Sequence, residues 1–270
     1  MNLFDIDGKV VVITGGNGVL GRSISRYLAS QGCKIAILGR DTTTGNELIN
    51  EIIISAGGDA IFLKCDVLNN EELIEARATI LDRYGKIDIL LNAAGGNMPG
   101  ATISPDNTIF DLKTDHLRRV VDLNLFGTML PTSIFVEAML PQKRGIVVNF
   151  CSESALRPLT RVMGYGAAKA AIANYTKSLA GELAIKFGEG FRVNAITPGF
   201  FLTDQNRALL TNPDGSYTAR GESIIAHTPF GRFGNPEELC GTIHYLISDA
   251  STFVTGTLAV VDGGFDAFSI

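Results

Sequence analysis

A β-branched run from Val10 to Thr14 leads directly into Gly15-Gly16-Asn17-Gly18-Val19-Leu20-Gly21, and a segment of helical period follows from Arg22 to Ser30. That order of strand, glycine-rich turn and helix restricts the possible folds more than any other feature of the chain. A strand buried on both faces reads as a continuous apolar run, and joining two parallel strands needs a crossover, usually a helix. Gly16-x-Gly18-x-x-Gly21 supplies a tight turn, a backbone bare enough for a pyrophosphate to approach, and a helix N-terminus whose amides favour anions. Gly15, Gly16, Asn17, Gly18, Val19, Leu20 and Gly21 are therefore the predicted phosphate-binding segment of a dinucleotide site.

The alternation continues along the chain. Further strands are predicted at Lys34 to Leu38, Ala60 to Lys64, Ile87 to Asn92, Ile146 to Phe150, Arg192 to Thr197 and Thr257 to Val261. Helix starts are marked by Thr44-Gly-Asn-Glu47, read as a capping box, by Asn70 with Glu71 and Glu72, and by Asn235-Pro236-Glu237-Glu238. The fold class that follows is α/β, a doubly wound Rossmann-type parallel sheet of seven strands with helices on both faces, in three αβα layers. With no linker, charge block or repeat to divide it, the chain is read as a single domain over residues 1–270. The stretch Gly199 to Gly234 has no clean period, is rich in Thr, Asn, Gly and Pro, and reads as a substrate loop over the carboxyl edge of the sheet.

Composition narrows the partners. The formal net charge is -5, and no Lys/Arg cluster with interleaved aromatics is present, which argues against a nucleic acid or an anionic membrane and in favour of a small molecule. Cys33, Cys65, Cys151 and Cys240 are widely spaced in apolar contexts, as expected of reduced, buried thiols. His116, His227 and His244 have no metal-ligand spacing, so no metal is expected. The segment Met1-Asn-Leu-Phe-Asp-Ile-Asp lacks the pattern of a signal peptide, and no uncharged apolar run reaches membrane-spanning length; a cytoplasmic location is the expectation.

A second constellation carries chemistry. Tyr165 and Lys169 stand four residues apart, about one helical turn, and Ser152 closes the β-like stretch Gly145 to Ser152, which puts its hydroxyl at the carboxyl end of a strand. An ammonium beside a phenol favours the phenolate, so this pair is expected to work as a general acid or base near neutral pH. At the end of the second strand, where an NAD site usually places Asp or Glu, the chain has Leu38-Gly39-Arg40. Gly39 removes a carboxylate that would repel a 2′-phosphate and Arg40 can pair with one, so NADP(H) is the preferred cofactor; nearby Asp41 keeps NAD(H) as the alternative.

Taken together, these residues resemble the short-chain dehydrogenase/reductase family from about Gly8 to the carboxyl terminus. Thr14-Gly15 with Gly21 is similar to its cofactor loop, Asp66-Val67 to its adenine-contacting pair, Asn92-Ala93-Ala94-Gly95 to its Asn-Asn-Ala-Gly segment, and Pro198-Gly199 with Thr203 to its nicotinamide-side loop. Asn124, Ser152, Tyr165 and Lys169 match its catalytic four. Two positions depart: Val19 stands where the usual pattern has its middle glycine, and Ala93 replaces the second asparagine. The resemblance implies that Tyr165 exchanges the proton, Ser152 hydrogen-bonds the reacting oxygen, Lys169 also binds the nicotinamide ribose, and Asn124 holds a water leading to solvent. It also implies a homotetramer, for which the Ala/Gly-rich helix predicted from Gly166 to Ala184 offers a surface, though that helix equally suits packing within the chain.

Within the family, less generic segments are similar to the D-mannonate oxidoreductase, or fructuronate reductase, group: Asn92 to Asn97, Pro198 to Arg207, Asn212 to Tyr217, Thr228 to Gly234 and Asp262 to Phe265. A sugar-acid substrate is what that similarity implies, and its carboxylate calls for cations. Arg161, four residues before Tyr165, and Gln205, Asn206 and Arg207 on the long loop are the candidates to join Ser152 and Tyr165 at the substrate. Surface or subunit-contact roles for both arginines stay open. Reduction of another polyol, sugar acid or 3-oxoacyl thioester, and a nucleotide sensor without turnover, are the competing functions.

Overall fold

The β-branched runs lie side by side in one parallel sheet, ordered β3-β2-β1-β4-β5-β6-β7, in the computed structural model, which describes residues 2–203 and 207–268. The strands are β1 (Val10–Thr14), β2 (Lys34–Gly39), β3 (Ala60–Lys64), β4 (Ile89–Asn92), β5 (Gly145–Phe150), β6 (Phe191–Pro198) and β7 (Leu258–Val261). Around the sheet run α1 (Val19–Ser30), α2 (Thr42–Ala56), α3 (Asn70–Tyr84), α4 (Thr114–Val121), α5 (Gly127–Met139), α6 (Met163–Phe187), α7 (Arg207–Leu210), α8 (Ala219–Ala226) and α9 (Cys240–Ile247).

Alternation along each strand builds two cores. Val11 and Ile13 of β1, with Ile35 and Ile37 of β2, bury against Ile24 and Leu28 of α1, Leu48 and Ile52 of α2, and Ile243 and Leu246 of α9. Val10 and Val12, with Ala36 and Leu38, turn the other way onto Leu73 and Ile80 of α3, Phe135 and Met139 of α5, and Leu183 of α6. Each such side chain contributes about 1.5–3 kcal/mol of burial, so neither face of the sheet can be left to water. β1 pairs with both β2 and β4, and the chain changes direction across the sheet there. Thr14 is in register with Leu38 and with Asn92, and Asn92 with Asn149, so these four strands end along one rim. Ligands of open α/β sheets bind outside such a rim at the switch point.

Several expected boundaries move. α1 begins at Val19, directly after Gly18, rather than at Arg22. α2 is not capped by Thr44: the Asp41 side chain accepts from Thr43 N and Thr44 N, and the first helical bond, from Gly45 N to Asp41 O, already includes it. α3 is capped by Asn69, not Asn70, whose neighbours Glu71 and Glu72 donate their backbone N–H groups to it. At Asn235 the expected cap holds, with Glu238 accepting from Asn235 N at 2.8 Å, but the turn Pro236–Leu239 is a 3₁₀ turn that feeds α9. The described residues between Gly199 and Gly234 carry more regular structure than the sequence suggests. It carries α7 and α8 over a small core of Leu210, Ile224 and Phe233, with Tyr217 edge-on to Phe233 at 5.3 Å.

The continuous helical run Thr114–Gln142 is long and apolar enough by length and composition to cross a bilayer, which no run was expected to be. Its apolar side is used otherwise: Val120, Phe135, Val136 and Met139 are buried, the last three in the core beneath α5.

Candidate active site

The glycine segment folds as a cradle that leaves no room for side chains. Gly15 has φ +64°, and a Cβ there would stand 2.8 Å from Ala94 Cα; at Gly21 it would stand 2.8 Å from Gly16 Cα. The backbone of 15–21 therefore lies bare at the head of α1, the arrangement a pyrophosphate requires. Val19 does not fill it, since it is the first residue of α1. A cavity of about 660 Å³ opens at this point, lined by Gly15, Asn17, Gly18, Val19, Leu20 and Gly21, by Arg40, Asp66 and Val67, by Ala93 and Ala94, and by Gly199 and Thr203. A nicotinamide dinucleotide fits this donor set and this bare backbone.

Leu38, Gly39, Asp41, Thr44, Cys65, Gly95, Leu123, Phe150, Phe200 and Phe201 complete the wall. The glycine at 39 has a local reason. A Cβ there would stand 2.9 Å from Asn17 Cγ, and Asn17 is fixed by donating Nδ2 to Asp41 O at 3.1 Å and to Thr44 Oγ1 at 3.0 Å. The Asp41 carboxylate is occupied in capping α2, while Arg40 is exposed at the cavity wall.

Five expected cofactor residues do not line the cavity. Gly16 packs against Ile13 and Ile37, and Pro198 only ends β6. Asn92 is buried, its Nδ2 donating to Thr132 Oγ1 at 2.8 Å and Asn149 Oδ1 at 2.9 Å, so its amide ties strands together beneath the rim. Tyr165 and Lys169 are not lining residues; Lys169 meets the wall at Phe150, whose carbonyl accepts from its Nζ.

Asn124 sits in a π-helical turn, Asp122–Phe126, between α4 and α5. Such turns displace one residue from the helical ladder. Here the wide turn places the Asn124 side chain against the loop after β4, where Nδ2 donates to Gly96 O at 2.7 Å and to Val120 O at 2.8 Å, and Oδ1 accepts from Gly96 N at 3.2 Å. Asn124 and Lys169 converge on Gly95: a Cβ there would stand 2.8 Å from Asn124 Oδ1 and 3.4 Å from Lys169 Nζ.

Ser152 follows β5, and its Oγ accepts from Ser154 N at 3.3 Å and from Ser154 Oγ at 3.1 Å. The Ser152 hydroxyl also acts on the Tyr165 phenol, drawing its pKa down. Tyr165 is in the first turn of α6, and Lys169, one turn on, brings its Nζ to 5.6 Å from the phenol ring centre while donating to Phe150 O at 2.7 Å. The spacing thus does place the pair on one face. The expected direction of the tyrosine shift is not found, because burial pushes the phenol up more strongly than the Ser152 hydroxyl draws it down. Lys169 is itself almost fully buried, which lowers its ammonium to about 8.

The substrate candidates divide. Arg161, partly buried, precedes α6 at φ +76°, with its carbonyl accepting from Ile103 N at 2.9 Å. Arg207 is exposed at the start of α7, and Gln205 and Asn206 lie outside the described residues. One residue was not anticipated. Glu153, directly after Ser152, is 1% exposed with neither carboxylate oxygen hydrogen-bonded, and burial together with Asp262 and Asp266 pushes its carboxyl up to about 8. In sequence it reads as an ordinary polar turn residue between two serines.

With this geometry in hand, the relatives are informative. A family profile described as enoyl-(acyl carrier protein) reductase matches residues 17–266. The uncharacterized oxidoreductase UxuB of Bacillus subtilis is 42% identical, over 98% of this chain and 97% of its own. A 3-oxoacyl-[acyl-carrier-protein] reductase of Synechocystis is 33% identical, over 97% of this chain and 99% of its own. A provisionally assigned D-mannonate oxidoreductase from Haemophilus influenza, solved with NAD bound, superposes with a TM-score of 0.92 at 39% identity, covering 98% of this chain and 97% of that one. The expected family and fold are borne out: the chain belongs to the short-chain dehydrogenase/reductases, NAD(P)-dependent oxidoreductases acting on CH–OH groups.

Proposed function

We propose that this enzyme interconverts a ketone and a secondary alcohol on a sugar acid, D-fructuronate and D-mannonate above others, with NADP(H) as the preferred cofactor and NAD(H) as the alternative. The observation that carries the reading is Lys169 Nζ held 5.6 Å from the centre of the Tyr165 ring while it donates to the carbonyl of Phe150, a residue of the dinucleotide cavity wall. A bound nicotinamide supplies or accepts the hydride. Tyr165, kept protonated by its burial, is in the form that gives a proton to the oxygen of a carbonyl undergoing reduction. Ser152 donates its hydroxyl to the same oxygen and orients it. Lys169, anchored on Phe150 O, holds positive charge beside the phenol and so stabilises the phenolate left when the proton departs. Asn124 ties the loop from Asn92 to Gly96 to α4, with two bonds to Gly96 and one to Val120 O, which keeps the cofactor side of the site in register with Lys169.

The cofactor preference rests on Arg40 and Asp41. Arg40 is exposed at the wall with no carboxylate at position 39, and the Asp41 carboxylate is engaged on α2. The substrate assignment rests on the likeness to the Haemophilus protein and on Arg161 next to the catalytic turn. Absorbance loss of NADPH and of NADH tests both points across fructuronate, tagaturonate, 5-ketogluconate and a 3-oxoacyl thioester. Highest kcat/KM with fructuronate and NADPH is expected; turnover confined to the thioester would replace the sugar-acid reading with that of the Synechocystis relative.

A further inference from the structure

The core beneath the rim is not wholly apolar. Buried polar side chains run through it on the α5 and α6 side of the sheet: Thr128 and Thr132 of α5, Asn92 of β4, Asn149 of β5 and Thr176 of α6. Each is bonded to the next. Thr128 Oγ1 donates to Asn124 O at 3.0 Å, and Thr132 Oγ1 donates to Thr128 O at 2.7 Å. Asn92 Nδ2 donates to Thr132 Oγ1 at 2.8 Å and to Asn149 Oδ1 at 2.9 Å. Asn149 Nδ2 donates to Thr176 Oγ1 at 3.0 Å, and Thr176 Oγ1 donates to Ile172 O at 2.8 Å. The result is one continuous run of hydrogen bonds from α5, across the ends of β4 and β5, to α6.

The run has a single direction. A threonine hydroxyl holds one hydrogen, and those of Thr132 and Thr176 are committed to the carbonyls four residues back, so each oxygen is left as an acceptor. The groups of Asn92 and Asn149 that face them are therefore the amide nitrogens, which leaves Asn149 Oδ1 to accept from Asn92. The two ends lie about two helical turns from Lys169 and from Asn124. Lys169 and Thr176 share the buried face of α6. On the other side, the π-helical turn Asp122–Phe126 and Pro131, which has no N–H, interrupt the helical ladder, and the hydroxyls of Thr128 and Thr132 bond carbonyls across that interrupted stretch. Stability does not call for this arrangement. Apolar side chains of the same shape hold elements together about as well, and Asn92 Oδ1 is buried without a partner among the described residues, which is destabilising. What a directed polar chain adds is a fixed register between the elements it joins.

We infer that Thr132 and Thr176 are positioning residues of the reaction: through Asn92 and Asn149 they hold the Asn124 turn and the face of α6 that carries Lys169 at one fixed spacing across the site. That spacing has little slack at Gly95. A Cβ there would stand 2.8 Å from Asn124 Oδ1 and 3.4 Å from Lys169 Nζ, so both side chains close on the same point of the loop after β4. Neither threonine lines the dinucleotide cavity, and each acts only through the residues above it on its own helix. The inference rests on the reading of Tyr165 and Lys169 as the proton-transfer pair, and it does not depend on which ketone is reduced.

The test measures kcat and KM in Thr132→Val, Thr132→Ser, Thr176→Val and Thr176→Ser, with NADPH and whichever of fructuronate, tagaturonate, 5-ketogluconate and the 3-oxoacyl thioester the wild type reduces fastest. NADPH affinity by titration and urea unfolding accompany each variant. Valine keeps the shape and loses the hydroxyl, whereas serine keeps the hydroxyl. A misplacement of about 1 Å costs on the order of a hundredfold, so each valine should lower kcat by about ten- to a hundredfold. KM and NADPH affinity should stay within about twofold of the wild type, and each serine should recover most of the lost kcat. Because one broken link releases the whole chain, the double variant Thr132→Val/Thr176→Val should be little worse in kcat than the worse single. Thr79→Val removes a hydroxyl that also bonds the carbonyl four residues back, Glu75 O at 2.9 Å, but lies outside this chain, and it should keep wild-type kcat. Wild-type kcat in either folded valine variant, losses that serine does not recover, or losses that multiply in the double variant would overturn the inference. If one valine variant does not fold, the other site decides; failure of both to fold would assign the chain to stability and overturn it as well. Tyr165→Phe keeps the two readings apart. If it turns over like the wild type, the proton-transfer reading fails; if it is inactive while the valine variants are not, only the positioning fails.

Discussion

Replacing Glu153 by Gln should make the enzyme more stable, and increasingly so as pH rises. Glu153 is 1% exposed, both oxygens lack partners, and its carboxyl is pushed up to about 8 by burial and by Asp262 and Asp266. In the unfolded chain a glutamate ionises near 4.3, so between about pH 5 and 8 the folded state holds a proton that the unfolded state has released. The folded pKa is raised, so the stability from this group is fully present below the unfolded value and is lost as pH climbs through the folded one. The slope is about 1.4 kcal/mol per pH unit, so the step from about pH 6 to 8 costs roughly 2 kcal/mol. Gln keeps the shape and cannot ionise, while every other titrating group is shared with the wild type. Urea unfolding of both proteins at the two pH values should therefore give a stability difference that grows in favour of the variant by about 2 kcal/mol. Parallel pH profiles would refute the reasoning, since they would mean that Glu153 is already ionised in the folded enzyme.

Gly21→Ala places its Cβ against the backbone of Gly15 and Gly16, so the phosphate cradle must open; a loss of about 1–3 kcal/mol in NADPH affinity by calorimetry is expected, with the sheet intact by circular dichroism. Gly39→Asp must first displace Asn17 from its bonds to Asp41 and Thr44, and then presents a carboxylate to the 2′-phosphate. Its ratio of NADPH to NADH affinity should fall by at least about tenfold, and an unchanged ratio would remove Arg40 and Gly39 from the account of cofactor choice.

The strands were legible because a parallel sheet covered on both faces demands unbroken apolar runs, and Val10 to Thr14 or Ile146 to Phe150 satisfy that locally. Helix starts were less so: Asp41-Thr42-Thr43-Thr44 offers four side chains able to cap, and the choice of Asp41 depends on where β2 releases the chain. The same distinction applies at the site. The spacing of Tyr165 and Lys169 specifies one helical face, and the glycine segment specifies a bare backbone. The burial that raises the Tyr165 phenol is a property of the assembled layers, whereas the spacing to Lys169 taken alone points the other way. Asn92 looked like a cofactor contact, yet its register with Asn149 turns its amide into the strands. Glu153 escaped notice because nothing in a sequence distinguishes a buried acid from a solvated one.

The central claim is that Tyr165 is the proton donor of a carbonyl reductase whose dinucleotide site is built separately by the glycine segment. Tyr165→Phe removes one oxygen and leaves the ring, Ser152 and Lys169 in place. Its NADPH affinity, by titration, should match the wild type, while its NADPH-dependent reduction of the substrate should fall on the order of a hundredfold to ten-thousandfold. Wild-type turnover in that variant would contradict the account.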